Sequence, residues 1–229
     1  MSMTTTRSKY PIDLVFVIDV TGSMGEALSN VKQMAIGFNK RLNDGMVRKG
    51  KEIETLRARV ITFGDLFDEG EEAIKWSKFF NLPEENGDFC NFINDLEAAG
   101  GGDEPESALE ALWLAIRSPW RKVGYKSRQI IVLFTDASAH PVSNHKIKNF
   151  QDSVHFPTSI EGIEAGWGMA SDPGLMSRTA KRLLVFAPEV EPWTEIENWE
   201  NTTWYPSAAG AGCGEYEMEQ IVEMIAGSV

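Results

Sequence analysis

Leu14-Val15-Phe16-Val17-Ile18-Asp19-Val20-Thr21-Gly22-Ser23-Met24 is the stretch on which the reading of this chain turns. Its first five residues form an unbroken apolar, partly β-branched run, the pattern of a strand buried on both faces. The run stops at Asp19, and Thr21 and Ser23 follow at alternate positions before a helical pattern begins. One carboxylate and two hydroxyls thus leave a tight turn at the carboxyl end of a strand, the edge at which open α/β sheets bind ligands. Such a set of hard oxygen donors suits Mg²⁺ or Mn²⁺. Ser23 followed by Glu26 also fits a capping box, in which Ser23 serves the helix start instead. At the level of sequence both readings stand.

Outward from this stretch, Met24, Leu28, Val31, Ala35, Phe38 and Leu42 recur at steps of three and four. That is the buried stripe of an amphipathic helix, which Asn43-Asp44-Gly45 is expected to end. Further strands are expected at Leu56 to Phe63, Ala73 to Phe80, Gln129 to Thr135, Arg182 to Ala187 and Thr202 to Tyr205. Helices are expected from Phe89 to Ala99, from Pro105 to Ile116, from Ser171 to Ala180, from Trp193 to Trp199, and after Met218. Strands alternating with helices imply a doubly wound, Rossmann-like α/β fold, its mainly parallel sheet flanked by helices. Between about 137 and 175 the periodicity fades, which predicts a long loop. Residues 1–10 read as a tail and 11–229 as a single domain, with no internal repeat and no linker.

Composition narrows the function classes. With 34 acidic against 22 basic residues the formal net charge is −12, and no basic stripe exists to meet the phosphates of a nucleic acid. Two cysteines, Cys90 and Cys213, make no disulfide framework. The opening MSMTTTRSKYPIDL lacks the apolar core of a signal peptide, and no run approaches the roughly 20 apolar residues needed to span a bilayer. A cytosolic protein with neither membrane nor nucleic acid as partner is expected.

Two more loops carry hard oxygen donors. Gly100-Gly101-Gly102-Asp103-Glu104-Pro105-Glu106 precedes a helix, and Gln129-Ile130-Ile131-Val132-Leu133-Phe134-Thr135 is a second two-face-buried strand that runs into Asp136. In a doubly wound sheet the first strand and the strand after the crossover are neighbours. Asp19 and Asp136 are therefore expected side by side, with the glycine-rich loop folded over them. The chain resembles the von Willebrand factor type A domain family through Asp19-Val20-Thr21-Gly22-Ser23-Met24, the Gly100–Glu106 segment and Phe134-Thr135-Asp136. The resemblance covers about residues 11–227. It implies a metal-ion-dependent adhesion site with Asp19, Thr21, Ser23, Asp103 and Asp136 as ligands. The GGGDEPE pattern looks like an intracellular bacterial branch.

Thr21 stands where the family pattern has a first serine, which keeps the hydroxyl. Asp103 stands where many members carry a threonine. As a third carboxylate ligand it would raise metal affinity and weaken capture of a partner's carboxylate. Its other reading is a helix N-cap, with Glu106 completing a capping box. Glu104 and Glu106 are read as solvated or capping, and Asp65 and Asp68 as rim charges at the same sheet edge.

His140, His145 and His155 match no compact zinc spacing. His140, His155 and Trp167 are instead the candidates for touching a partner, with packing of the loop onto the sheet as the other reading of Trp167. Two alternatives belong to other classes. Asp19-Val20-Thr21-Gly22-Ser23 resembles the start of haloacid-dehalogenase-type phosphotransfer enzymes, but that chemistry also needs a lysine and a later acidic pair. A metal-stabilised scaffold would bind its partners elsewhere. No nucleophile–base pairing is apparent. The reading adopted is a non-catalytic, Mg²⁺- or Mn²⁺-binding interaction domain. It docks a protein partner, which offers an acidic residue to the metal.

Overall fold

A computed structural model describes residues 7–101, 104–121, 124, 126–142, 147–168, 174–208 and 215–229. Asp103, His145 and Cys213 lie outside the described residues. The strand built on Leu14–Ile18 is β1 (Ser8–Asp19), and it sits at the middle of a seven-stranded sheet. Its neighbours are β2 (Lys51–Phe63) on one side and β5 (Arg128–Phe134) on the other, both parallel to it. Beyond β5 the parallel order continues through β6 (Lys181–Pro188) and β7 (Thr202–Ser207). On the far side, β3 (Ile74–Trp76) and β4 (Phe80–Leu82) both pair antiparallel with β2. A single strand was expected over this last region. Ser77 separates the two pieces by accepting the backbone N–H of Val60 through its hydroxyl.

Side chains along β1 alternate between two cores, the period-2 consequence of a pleated strand. Leu14, Phe16 and Ile18 face α1 (Gly25–Ala35), α2 (Phe38–Arg48), α4 (Asn86–Asn94) and α9 (Met218–Ser228). Val15 and Val17 face α3 (Leu66–Glu69), α5 (Ala108–Ile116), α6 (Lys148–Ser153), α7 (Ile160–Trp167) and α8 (Trp193–Ile196). Phe16, Phe38, Phe89, Phe134 and Phe186 form a continuous aromatic seam through the first core. Burial of both faces explains the unbroken apolar run in β1.

Asp13 is the exception on this strand. Its carboxylate is buried and accepts from Arg57 Nε and Nη2 and from the backbone N–H and Nε of Arg121, all at 2.6–2.9 Å.

The first helix is split. Ile36 is extended and Gly37 takes the left-handed conformation at φ +74°, so α1 stops and α2 restarts. Arg41 folds back to donate to the carbonyl of Ile36 at 2.7 Å, which satisfies the end of α1. Asn43-Asp44-Gly45 does not terminate anything and lies inside α2. Gly45 faces α9, where a Cβ would stand 3.2 Å from Ala226 Cβ and 3.1 Å from a Glu223 carboxylate oxygen. The glycine is there for close helix packing and not for a turn.

Between 137 and 175, where a long loop was expected, α6 and α7 pack onto the second core through Phe150, Ile163 and Trp167. Residues 174–180 are turns, so the helix expected from Ser171 to Ala180 is not found there. The helix expected from Pro105 begins at Ala108, with Ser107 as its N-cap residue.

Candidate metal centre

Strand register brings the expected residues together. Asp19 is the last residue of β1, and pairing of Ile18 with Phe134 sets Thr135 level with Asp19 and Asp136 just beyond. On the other side Asp19 pairs with Phe63, so the β2–α3 loop carries Asp65 to the same edge. The buried Asp19 carboxylate is held by hydroxyls. Oδ1 accepts the backbone N–H of Thr21 at 2.9 Å and its Oγ1–H at 2.6 Å, while Oδ2 accepts Thr135 Oγ1–H at 2.7 Å. With its proton committed to Asp19, the Thr21 oxygen keeps lone pairs for another ligand. Ser23 is exposed, its Oγ 3.3 Å from Thr21 Oγ1. No side-chain cap bond is made at the start of α1 or of the short turn before it, so the capping-box reading of Ser23 and Glu26 is not realised.

Backbone holds the glycine-rich loop against this turn. Gly22 N–H donates to Gly100 O at 3.1 Å and Ala99 N–H to Val20 O at 2.9 Å. Gly100 and Gly101 both adopt left-handed φ, +72° and +69°. A Cβ on Gly101 would stand 2.8 Å from Thr21 Cβ and 3.0 Å from Glu106 Oε1, so only glycine fits the approach.

Asp136 is buried, and neither of its carboxylate oxygens has a hydrogen-bond partner among the described residues. Glu106 was expected in solvent or at a cap. It is buried instead, only 4% exposed, bridging to Ala139 with its Oε2 unpartnered. Asp65 was expected as a rim charge and is also buried. It caps α3 by accepting Phe67 N–H at 2.8 Å, and it meets His140 Nε2 at 3.0 Å. Asp68 is exposed at the rim. The alternation and capping rules that serve surface loops misplaced Asp65 and Glu106. The signals available were that Asp65 follows the strand ending at Phe63 and that Glu106 closes the Gly100–Glu106 segment.

Crowded, buried carboxylates resist ionisation. Burial pushes Asp19 up to about 6, against the hydrogen bonds from Thr21 and Thr135, and the Asp136 charge adds to the push. Burial likewise pushes Glu106 up to about 8, reinforced by Asp19, Asp65, Glu69 and Asp136. Among the described residues no three of His, Cys, Asp and Glu converge closely enough to hold a metal by themselves. The donor set at this edge is mixed: Asp19 and Asp136 with the Thr21 and Ser23 hydroxyls. Two unpartnered, buried Asp136 oxygens facing a hydroxyl-lined carboxylate fit a hard divalent cation, which prefers oxygen and keeps several waters.

The residues named for partner contact separate. His140 is half-buried, tilted against Phe67 with ring centroids 4.1 Å apart, and stands at the candidate site. His155 is exposed. Trp167 is fully buried and donates its indole N–H to Glu200 O at 2.8 Å. The fully buried Lys181 lies over its ring and donates to the carbonyls of Trp167 and Gly168. Trp167 is therefore a core anchor that fixes the end of α7 and presents no surface to a partner.

Residues 14–139 match the family model described as von Willebrand factor type A domain. Alpha-protein kinase vwkA of Dictyostelium discoideum is 23% identical over 142 residues, 62% of this chain and 21% of that protein. The von Willebrand factor A domain-containing protein 7 of Homo sapiens is 30% identical over 130 residues, 55% of this chain and 12% of that protein. The chain thus spans a small part of the length of the curated relatives it matches. Among solved structures, the pilus adhesin SpaC from Lactobacillus rhamnosus GG aligns with a TM-score of 0.55 at 11% identity, covering 97% of this chain and 31% of that one. That likeness is one of fold. No helix among the described residues is long and apolar enough to cross a membrane.

Proposed function

This chain belongs to the von Willebrand factor type A domain family, and we propose that it is a non-catalytic, divalent-metal-binding module that docks a protein partner through the carboxyl edge of its sheet. The proposed ligands are Asp19, Thr21, Ser23 and Asp136, with Asp103 added on its sequence position alone. Mg²⁺ or Mn²⁺ is the proposed cation because every donor is a hard oxygen. When bound, the cation supplies an electrophilic position at which a partner's carboxylate can complete the coordination. The chain's own part is to hold the turn. Thr21 and Thr135 orient the Asp19 carboxylate, and the Ala99–Gly100 backbone pins the Thr21 turn. The proposed setting is a cytosolic bacterial complex. The free, half-buried thiol of Cys90 suits a reducing compartment, and the bacterial assignment rests on the GGGDEPE segment.

One observation carries the reading: Asp136 is buried with both oxygens unpartnered beside Asp19. Native proteins rarely leave buried polar atoms unmet without a ligand or a function to explain them. A phosphotransfer enzyme would need a lysine beside Asp19. The surroundings that act on Asp19 are two threonines and another carboxylate.

The test is calorimetric titration of chelator-treated protein with Mg²⁺ and Mn²⁺, beside Asp136→Ala. Because Asp136 makes no hydrogen bond among the described residues, this variant removes a ligand without loosening the turn. Saturable one-site binding that disappears in the folded variant is expected. A folded wild type that binds neither cation overturns the proposal. Partner capture that survives Asp136→Ala would favour the scaffold alternative over docking at the metal.

A further inference from the structure

Beside the metal face lies a cavity of about 500 Å³ that the proposed ligands do not use. Leu109, Val142, Ile160 and Pro192 give it apolar walls, and Glu161, Glu191 and Glu195 stand around it. His140 forms part of the wall, and the same imidazole reaches Asp65 at 3.0 Å while its backbone N–H donates to Glu106 O at 2.9 Å. His140 is thus part of the cavity wall and at the same time touches Asp65 at the sheet edge that carries Asp19.

We propose that this cavity receives a lysine or arginine side chain of the docked partner, its aliphatic stem against Leu109, Val142, Ile160 and Pro192 and its cationic head among Glu161, Glu191 and Glu195. The proposal deepens the docking reading and rests on it for the partner, though not for the chemistry of the pocket. Three features select this occupant. The walls suit the methylene stem of a long side chain, which packs on apolar surface while its head stays polar. Among the described residues that line it, the charged ones other than His140 are all glutamates, and no Lys, Arg or His among the described residues forms an ion pair with Glu161, Glu191 or Glu195. The carboxylates also act on one another. Glu195 is pushed up by its partial burial and then by the charges of Glu191, Glu161 and Glu164, repulsion that an incoming cation relieves. Clefts lined by one sign of charge select and steer the opposite sign. A partner so recognised carries an acidic residue for the metal and a basic residue for this pocket. That pairing restricts the choice of segment more than either contact alone.

The test uses two probes of one shape. Nα-acetyl-arginine amide and Nα-acetyl-citrulline amide differ in charge, and each is titrated into isotope-labelled protein while the amides of Leu109, Val142, Ile160 and Glu195 are followed by NMR. The arginine probe is expected to bind more tightly than citrulline by up to about fivefold, the upper range for one partly exposed ion pair. Glu191→Gln with Glu195→Gln is expected to remove that preference. Equal binding of the two probes would make the pocket merely apolar, and shifts confined to other residues would place the cation elsewhere; either outcome overturns the proposal. The titration is run on chelator-treated and Mg²⁺-loaded protein. A cation preference present in both stands even if the metal reading fails. A missing preference in protein that binds Mg²⁺ sinks the pocket alone.

Discussion

Replacing Gly101 by alanine tests whether the glycine-rich loop and the Thr21 turn form one unit. The new Cβ would sit 2.8 Å from Thr21 Cβ, 2.9 Å from Thr21 Cγ2 and 3.0 Å from Glu106 Oε1, at a residue whose φ is +69°. A left-handed conformation costs alanine about 1–2 kcal/mol. Forcing a methyl group into filled space costs about 1–3 kcal/mol more. If the loop stays in place, Gly101→Ala should therefore lose about 2–5 kcal/mol, the sum of those ranges, in urea unfolding. If the loop retreats, the stability loss is smaller, but Thr21 is released and Mg²⁺ affinity falls by tenfold or more. Gly87→Ala is the control, since α4 holds Gly87 without positive φ and with nothing within 4 Å of its Cβ. Its alanine should gain up to about 1 kcal/mol from helix propensity and leave Mg²⁺ binding alone. A Gly101→Ala protein matching wild type in both stability and Mg²⁺ affinity would refute the reasoning, because no relaxation preserves both.

Two further expectations rest on buried carboxylates away from the ligand set. Asp13→Asn turns an acceptor of four bonds into a side chain with an amide donor facing two arginines, and should cost about 3–5 kcal/mol in denaturant unfolding. Six residues of strand, about 20 Å, separate Asp13 from Asp19, so a folded Asp13→Asn protein should keep its Mg²⁺ affinity. Glu110 is buried with Oε2 unpartnered among the described residues, and burial raises its carboxyl above the ordinary 4.5 despite the hydrogen bond from Gln151. The folded state therefore holds this proton to higher pH than the unfolded chain does, and stability is lost as pH rises from about 4.5 through the folded value. Glu110→Gln should match wild type at low pH and exceed it by a margin that widens as pH rises towards 8, because only the glutamate has a buried charge to form. A constant gap across that range in paired urea titrations would show that the Glu110 charge is not its cause.

The central strand, the parallel order and the meeting of Asp19 with Asp136 were legible because each is written in local pattern. Apolar runs mark strands, and strand ends mark the binding edge. What escaped sequence reasoning was non-local. Asn43-Asp44-Gly45 has the composition of a turn, yet packing against Ala226 on α9 decided its role. Trp167, between two glycines, could read as a partner anchor or as packing of the loop onto the sheet, and Lys181 and the carbonyl of Glu200 decide for the core. Glu106 follows a proline where helices commonly start, yet its backbone pairs with the strand-end segment at Ala139 and carries the side chain inward. In each case a distant partner decided the role.

The two aspartates of β1 show why the acidic edge reads as a binding site and not as an accident of packing. Both are buried, Asp13 midway along the strand and Asp19 at its carboxyl end. At Asp13 two arginines and a backbone N–H saturate the carboxylate, the arrangement expected when burial of charge serves structure. At Asp19 the same strand offers only hydroxyls and one N–H, and sets the unpartnered oxygens of Asp136 and Glu106 nearby. Each such unmet group costs about 1–3 kcal/mol in a chain whose whole margin is of order 5–15 kcal/mol. A fold that neutralises a carboxylate midway along a strand has the means to do so at the strand's end. Leaving that second cluster unneutralised makes sense if its counter-charge arrives from outside the chain.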